Sequence, residues 1–294
     1  AEKEMVGVKF GVNDFSGKRQ TFQVSAGIGS LKKVALSYKR EYSSHFFWGI
    51  SMARLIFNSA ILFNNDIDKF INKFYAGKKV KNILFYLWAN YIRINYKGES
   101  FLGEPGKLFK FGMDVTYNSK DWGIYPTKGL VAKVGAHRTY DRDGRELYDR
   151  YIIKLSGFLN LIKKHVLALD FNTILSNGNV PLVDTLYFGG YRTLRGIGTG
   201  KYLGNNSIVF SCEYRIPFNM VKENSSREQF LGTAFYIFAD LGILEENRKD
   251  LKLKNMVYNT GLGLIWLVTR DTFIRFDLSF TAKFRLTINS GWKF

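Results

Sequence analysis

Ile274-Arg275-Phe276-Asp277-Leu278-Ser279-Phe280-Thr281-Ala282 and, after a single Lys283, Phe284-Arg285-Leu286-Thr287-Ile288-Asn289-Ser290-Gly291-Trp292-Lys293-Phe294 alternate apolar and polar side chains. Successive side chains of a strand point to opposite faces, so a period of two marks a strand with one apolar and one polar face. In the last segment Phe284, Leu286, Ile288, Trp292 and Phe294 share one face, and Arg285, Thr287, Asn289, Gly291 and Lys293 share the other.

The same alternation runs upstream. Phe210, Cys212, Tyr214 and Ile216 oppose Ser211, Glu213 and Arg215; Phe235, Ile237, Ala239 and Leu241 oppose Tyr236, Phe238 and Asp240. Segments 166–175, 130–139, 109–118 and 5–13 follow suit. Fifteen segments are predicted as strands, near 5–13, 20–29, 33–42, 47–57, 68–78, 83–96, 108–118, 128–139, 148–159, 164–175, 206–217, 230–241, 256–268, 272–282 and 284–294. A tilted membrane strand needs roughly ten residues, which these supply. The strands far outnumber those of a sandwich. Ionisable residues and glycines fill the polar face in strand after strand, as a wet lumen requires. Tyr42, Tyr117, Trp266 and Trp292 sit near segment ends on the apolar face, where interfacial girdles lie. The expected fold is an all-β, transmembrane, antiparallel β-barrel of 14–16 strands, because single-chain bacterial barrels have even counts. Residues 1–294 are expected to form one barrel domain with no periplasmic repeat domain.

Composition agrees. The 294 residues include 28 Gly and only 4 Pro, and aromatics make up 16%, a mixture suited to many strands joined by tight turns. No run approaches 18 apolar residues, so no transmembrane helix is expected. The mean hydropathy of −0.13 is what half-lipid, half-water strands average to. The one cysteine, Cys212, excludes an intrachain disulfide. The net charge of +18 is scattered through strands and loops with no block of the kind that binds nucleic acid. A cationic lumen, solvated loop lysines and anionic lipid headgroups account for it instead.

One connection breaks the rhythm. Between Leu175 and Asn206 lies a stretch longer than ordinary loops, containing Phe188-Gly189-Gly190-Tyr191-Arg192-Thr193-Leu194-Arg195-Gly196-Ile197-Gly198. Gly196-Ile197-Gly198 lacks the third glycine and the following helix of a dinucleotide loop. Glu213-Tyr214-Arg215-Ile216-Pro217 stands in the next strand, Asp240-Leu241-Gly242 ends the one after, and Tyr117 to Asp121 with Pro126 to Gly129 precede an earlier strand.

These stretches resemble the BamA-type superfamily of outer-membrane barrels, which includes BamA, TamA and the two-partner secretion transporters. The resemblance covers residues 108–294 well and the first third loosely. It implies a complete barrel of sixteen strands and a long sixth loop folded into the lumen, with Gly189, Gly190, Leu194, Arg195, Gly196 and Ile197 as the loop motif. Ile197 stands where the family has an aromatic. The resemblance also implies that the last strand, with Gly291, Trp292 and Phe294, carries the signal for barrel insertion. The bland alternative for that strand is simply a last lipid-facing one.

The alternation independently puts Glu213 and Asp240 on the polar face, where an arginine on an inward-folded loop can meet both. Arg195 is therefore expected to dock on Glu213 and Asp240; the alternative is three separately solvated charges in a wide pore. A guanidinium carries five donors in a fixed fork that suits two carboxylates.

Assembly, insertion or translocation of proteins at the bacterial outer membrane is the expected function, with no nucleotide, cofactor or metal. The expected partners are outer-membrane lipids, unfolded outer-membrane proteins or a translocated protein, and accessory assembly subunits; nucleic acid is not among them. A passive channel or an anchor for a partner domain is the alternative. An enzyme is not expected: His45, His137 and His165 are isolated, and no G-x-S-x-G motif occurs.

Overall fold

The computed structural model of the chain describes residues 5–13, 19–29, 31–42, 45–59, 65–96, 106–121, 125–190, 193–198, 200–218, 232–267, 273–280 and 284–289. The strands are β1 (Met5–Asn13), β2 (Gln20–Gly29), β3 (Leu31–Glu41), β4 (Phe46–Ser59), β5 (Asn65–Val80), β6 (Ile83–Tyr96), β7 (Lys107–Asn118), β8 (Gly129–Tyr140), β9 (Glu146–Asn160), β10 (Val166–Gly178), β11 (Leu186–Phe188), β12 (Tyr202–Gly204), β13 (Asn206–Pro217), β14 (Gly232–Glu245), β15 (Val257–Leu267), β16 (Phe273–Phe280) and β17 (Phe284–Asn289). Fifteen of them form one antiparallel sheet in chain order, from β1 to β10 and on to β13 to β17, while β11 and β12 pair as a separate ribbon. The described residues thus give a sheet of fifteen strands, between the even counts of 14 and 16 expected from the sequence.

The polarity of this sheet is inverted relative to a water-soluble protein. Its buried side chains include Arg150, Asp170, Glu213, Arg215, Asp240, Arg275 and Asp277, whereas Phe10 and Leu87 are 71% and 62% exposed. Exposed apolar side chains recur on the outward face of strand after strand. A face of that kind is solvated by lipid, and strands satisfy one another's backbone groups there. Among the described residues no helix is long and apolar enough to cross a membrane.

The chain divides into two compact units. The first comprises Ala1–Thr116, Val134–Tyr151 and Ser176–Thr185. Its β4–β5 ladder runs from Phe46↔Lys78 to Ser59↔Asn65. The β5–β6 ladder runs out to Val80↔Ile83, leaving Lys81-Asn82 as a two-residue turn with Lys81 at φ 51°. Ile67, Ile92, Ile94 and Leu108 form its apolar core.

The second unit comprises Tyr117–Lys133, Ile152–Leu175 and Leu186–Phe294. Here β10 pairs with β13, and β13 to β17 pair in succession. Register pairs Ser211 with Asp240, Glu213 with Phe238, Asp240 with Asn259, and Gly263 with Asp277. These pairs share the inward face. Gly261 and Gly263 of β15 lie under the rings of Phe238 and Tyr236, and a side chain at either glycine would overlap the ring. Small against large across facing positions lets two aromatics lie flat within a crowded inner face.

Candidate functional site

The site is built from the connection between β10 and β13. Its motif forms a tight turn. Gly190 N donates to Ile197 O at 2.8 Å, and Thr193 N donates to Gly190 O at 3.2 Å. Gly189, Gly190 and Gly196 have φ of 115°, 89° and 78°, which residues with a Cβ rarely adopt. Gly196 also lies against Ser279 so closely that no Cβ would fit. Leu194 and Ile197 flank the arginine and pack with Phe188 and Val209 into a small apolar cluster. Ile197 is buried in this cluster.

Arg195 projects from that turn and is 2% exposed. Its Nε and Nη2 donate to Asp240 Oδ2 and Oδ1 at 2.9 and 2.7 Å, and its Nη1 donates to Glu213 Oε1 at 2.5 Å. Its backbone N donates to Asp240 Oδ2 at 3.1 Å, and Asn259 Nδ2 donates to its carbonyl. Its guanidinium carbon lies 3.8 Å from the centroid of the Phe238 ring, a cation–π contact. The structure thus brings Arg195, Glu213 and Asp240 together, by both side chain and backbone.

Three further charges complete the cluster. Arg275 Nη2 lies 2.7 Å from Glu213 Oε1, and Arg215 Nε donates to Glu213 Oε2 at 2.8 Å. Asp277 lies 3.8 Å from Arg195 and 3.6 Å from Arg275, and it accepts a hydrogen bond from Tyr236. Three guanidiniums therefore face three carboxylates, all buried. Taking any one of these ions out of water alone costs several kcal/mol; a balanced, hydrogen-bonded set offsets that penalty. Burial by itself would lower the pKa of Arg195, but Asp240 and Glu213 outweigh it and hold the guanidinium charged.

Reasoning from the sequence alone did not single out Arg215, Arg275, Asp277, Tyr236 or Asn259. The signal was present for four of them: Arg215, Arg275, Asp277 and Tyr236 all fall on the polar face of their strands. What alternation lacks is the register that sets them at one height.

A second cluster, in the first unit, was also missed. Asp184, in the early part of the same connection, accepts from Lys110 Nζ at 2.5 Å and from Tyr148 OH at 3.0 Å, with Lys69 Nζ at 3.8 Å. Arg150 donates to the Asp184 carbonyl at 3.0 Å and to Ser176 Oγ at 3.0 Å. Burial pushes the Asp184 carboxyl up, but Lys110 and Lys69 overcome it and hold the pKa below the usual range. No motif marked Asp184. Its only sequence signal is an acid placed two residues before Leu186 in a cationic chain.

Among the described residues no group of three or more His, Cys, Asp and Glu could hold a metal. His165 Nδ1 lies 2.7 Å from Tyr214 OH, and His137 packs against Trp88 and Tyr148. Gly291, Trp292 and Phe294 lie outside the described residues.

The family model of the Omp85 superfamily domain matches residues 88–293. Among solved structures, BamA from Haemophilus ducreyi lacking POTRA domains 1–3 is 17% identical with a TM-score of 0.78, over 97% of this chain and 66% of that one. CdiB from Escherichia coli is 13% identical with a TM-score of 0.70, over 97% of this chain and 57% of that one. CdiB from Acinetobacter baumannii is 12% identical with a TM-score of 0.64, over 94% of this chain and 53% of that one. The chain therefore spans between about half and two thirds of the length of these structures.

Proposed function

Since the chain belongs to the Omp85 superfamily, whose barrels are non-enzymatic and reside in the bacterial outer membrane, we propose that it inserts or translocates proteins at that membrane without a nucleotide. The observation that carries this reading is the buried latch of Arg195 on Glu213 and Asp240. A fixed pore lining needs no such device. A loop held on the inner face by one side chain is a closure whose release can be coupled to a passing or inserting substrate.

Insertion has a physical route in such a fold. A strand edge offers unpaired backbone groups as a template, and a substrate that adds to it enters lipid with its own backbone groups satisfied. The substrates are unfolded outer-membrane proteins or a translocated protein, with accessory subunits as further partners. Gly291, Trp292 and Phe294 would serve as the signal for the barrel's own insertion.

The test is a folding assay in liposomes. An unfolded outer-membrane barrel is added to vesicles holding this protein, its Arg195→Ala variant, or no protein. Faster substrate folding with the intact protein alone supports insertion. Conductance without any acceleration moves the reading to a passive channel or a membrane anchor for a partner domain.

A further inference from the structure

One end of the first unit carries a concentration of positive charge among exposed aromatics that the loop latch does not use. It is formed by Arg19, the β3–β4 connection and the β5–β6 turn. Glu41 N donates to Arg19 O at 3.0 Å, and Lys79 N donates to His45 O, tying the three segments side by side. Segments 38–46 and 77–83 hold Lys39, Arg40, Lys78, Lys79 and Lys81 against a single carboxylate, Glu41. That carboxylate is engaged by Lys39 at 2.5 Å.

The outward face here alternates cations with rings. Arg40 lies over the Tyr42 ring at 4.8 Å and pairs across the ladder with Trp48. Lys78 pairs with Phe46, and Tyr42 and Phe46 are 59% and 43% exposed. Below them Trp48 packs tilted against Tyr38 and stacked on Phe74, at 5.6 and 6.3 Å. Aromatics at this level mark the membrane interface, where ring meets headgroup. Arg40 and Lys78 stand on strands two apart and two residues out of register, so their backbones are about 12 Å from each other. Two long side chains can close that gap around one phosphate, with arginine supplying the fork and lysine the point charge.

This end lies far from Asp184. Asp184 meets β5 at Lys69, and Lys78 is nine residues further along the same strand, roughly 30 Å at strand rise. Longer loops of such barrels face outward and short turns face the periplasm, so the cationic end sits in the periplasmic leaflet. We propose that Arg40 and Lys78, ringed by Tyr42, Phe46 and Trp48, with Lys81 in the adjoining turn, form a binding site for the phosphate of an anionic glycerophospholipid. Charge complementarity and the interfacial ring collar set the occupant. Nothing in this site depends on the loop latch or on the proposed transport activity.

The experiment reconstitutes the full chain in nanodiscs and measures its preference for spin-labelled phosphatidylglycerol over spin-labelled phosphatidylcholine. The intact protein should prefer the anionic lipid. Each cation near the surface contributes about 1 kcal/mol, or roughly fivefold. R40Q and K78Q should each lower the preference by about that factor before screening, and R40K/K78R should keep most of it. A control, K32Q/R93Q, removes two exposed cations elsewhere on β3 and β6 and should lower the preference by less than R40Q or K78Q. Equal preference in the intact protein and in R40Q or K78Q would overturn the proposal, as would displacement of the labelled lipid by free inorganic phosphate. Single substitutions at these half-buried or exposed positions keep the fold, and retained heat-modifiable migration in gels verifies it.

Discussion

Replacing Arg195 by alanine removes three charge-assisted hydrogen bonds, of 2.9, 2.7 and 2.5 Å, from two buried carboxylates. Glu213 keeps Arg215 and Arg275 as partners. Asp240 loses both side-chain bonds of its bidentate pair but keeps the backbone N–H of residue 195. Breaking a buried pair by deleting one partner costs roughly 3–5 kcal/mol, because the other charge stays buried. At 1.4 kcal/mol per tenfold, about 4 kcal/mol raises the undocked population of the loop near a thousandfold. Two readouts follow. Amide exchange at residues 193–198 should accelerate, and single-channel conductance in planar bilayers should rise. The rise should be independent of pH near neutrality, since the guanidinium it replaces never titrates there. A double-mutant cycle with Asp240→Ala separates docking from general damage: the two losses should be strongly sub-additive, as expected for direct partners. Unchanged exchange together with unchanged conductance in Arg195→Ala would refute the latch.

Three more outcomes are expected. Asp184→Asn should speed amide exchange at residues 181–186, with exchange at 193–198 as the internal reference. Because the folded-state pKa of Asp184 is depressed, the stability it contributes is present above the unfolded value near 3.9 and disappears as pH falls below it; an acid titration of the variant should lack that transition. Gly263→Val drives a branched side chain into the Tyr236 ring and should lower the thermal midpoint, an overpacking cost of about 1–3 kcal/mol, with part recovered by Tyr236→Ala. Gly196→Ala combines a positive φ of 78° with a clash on Ser279; its loop exchange should approach that of Arg195→Ala, and Ser279→Gly in the same chain should restore part of the protection.

The strand list was legible because alternation is a local property. Phe276 or Phe235 can be assigned a face from its neighbours alone, and strand ends fell within a few residues of the predicted ones through most of the chain. The latch partners Glu213 and Asp240 were legible for a narrower reason: the faces were assigned, and a glycine-framed arginine stood in the one long connection. Arg275 and Asp277 shared the right face but gave no hint of their height along the barrel wall. Height is set by register between strands, such as Gly263 opposite Asp277, and no single strand encodes it.

The sequence by itself determined that this chain crosses a membrane with strands, which face of each strand meets lipid, and which arginine the long connection presents. Side-chain period and glycine placement carry those facts within a few residues. Only the tertiary structure decided that six charges close into one balanced network, that Asp184 binds Lys69 and Lys110, and that Arg40 and Lys78 flank the same aromatic collar. Each joins residues far apart in the chain, and their energies depend on distances of a few ångströms that pairing register and loop path set.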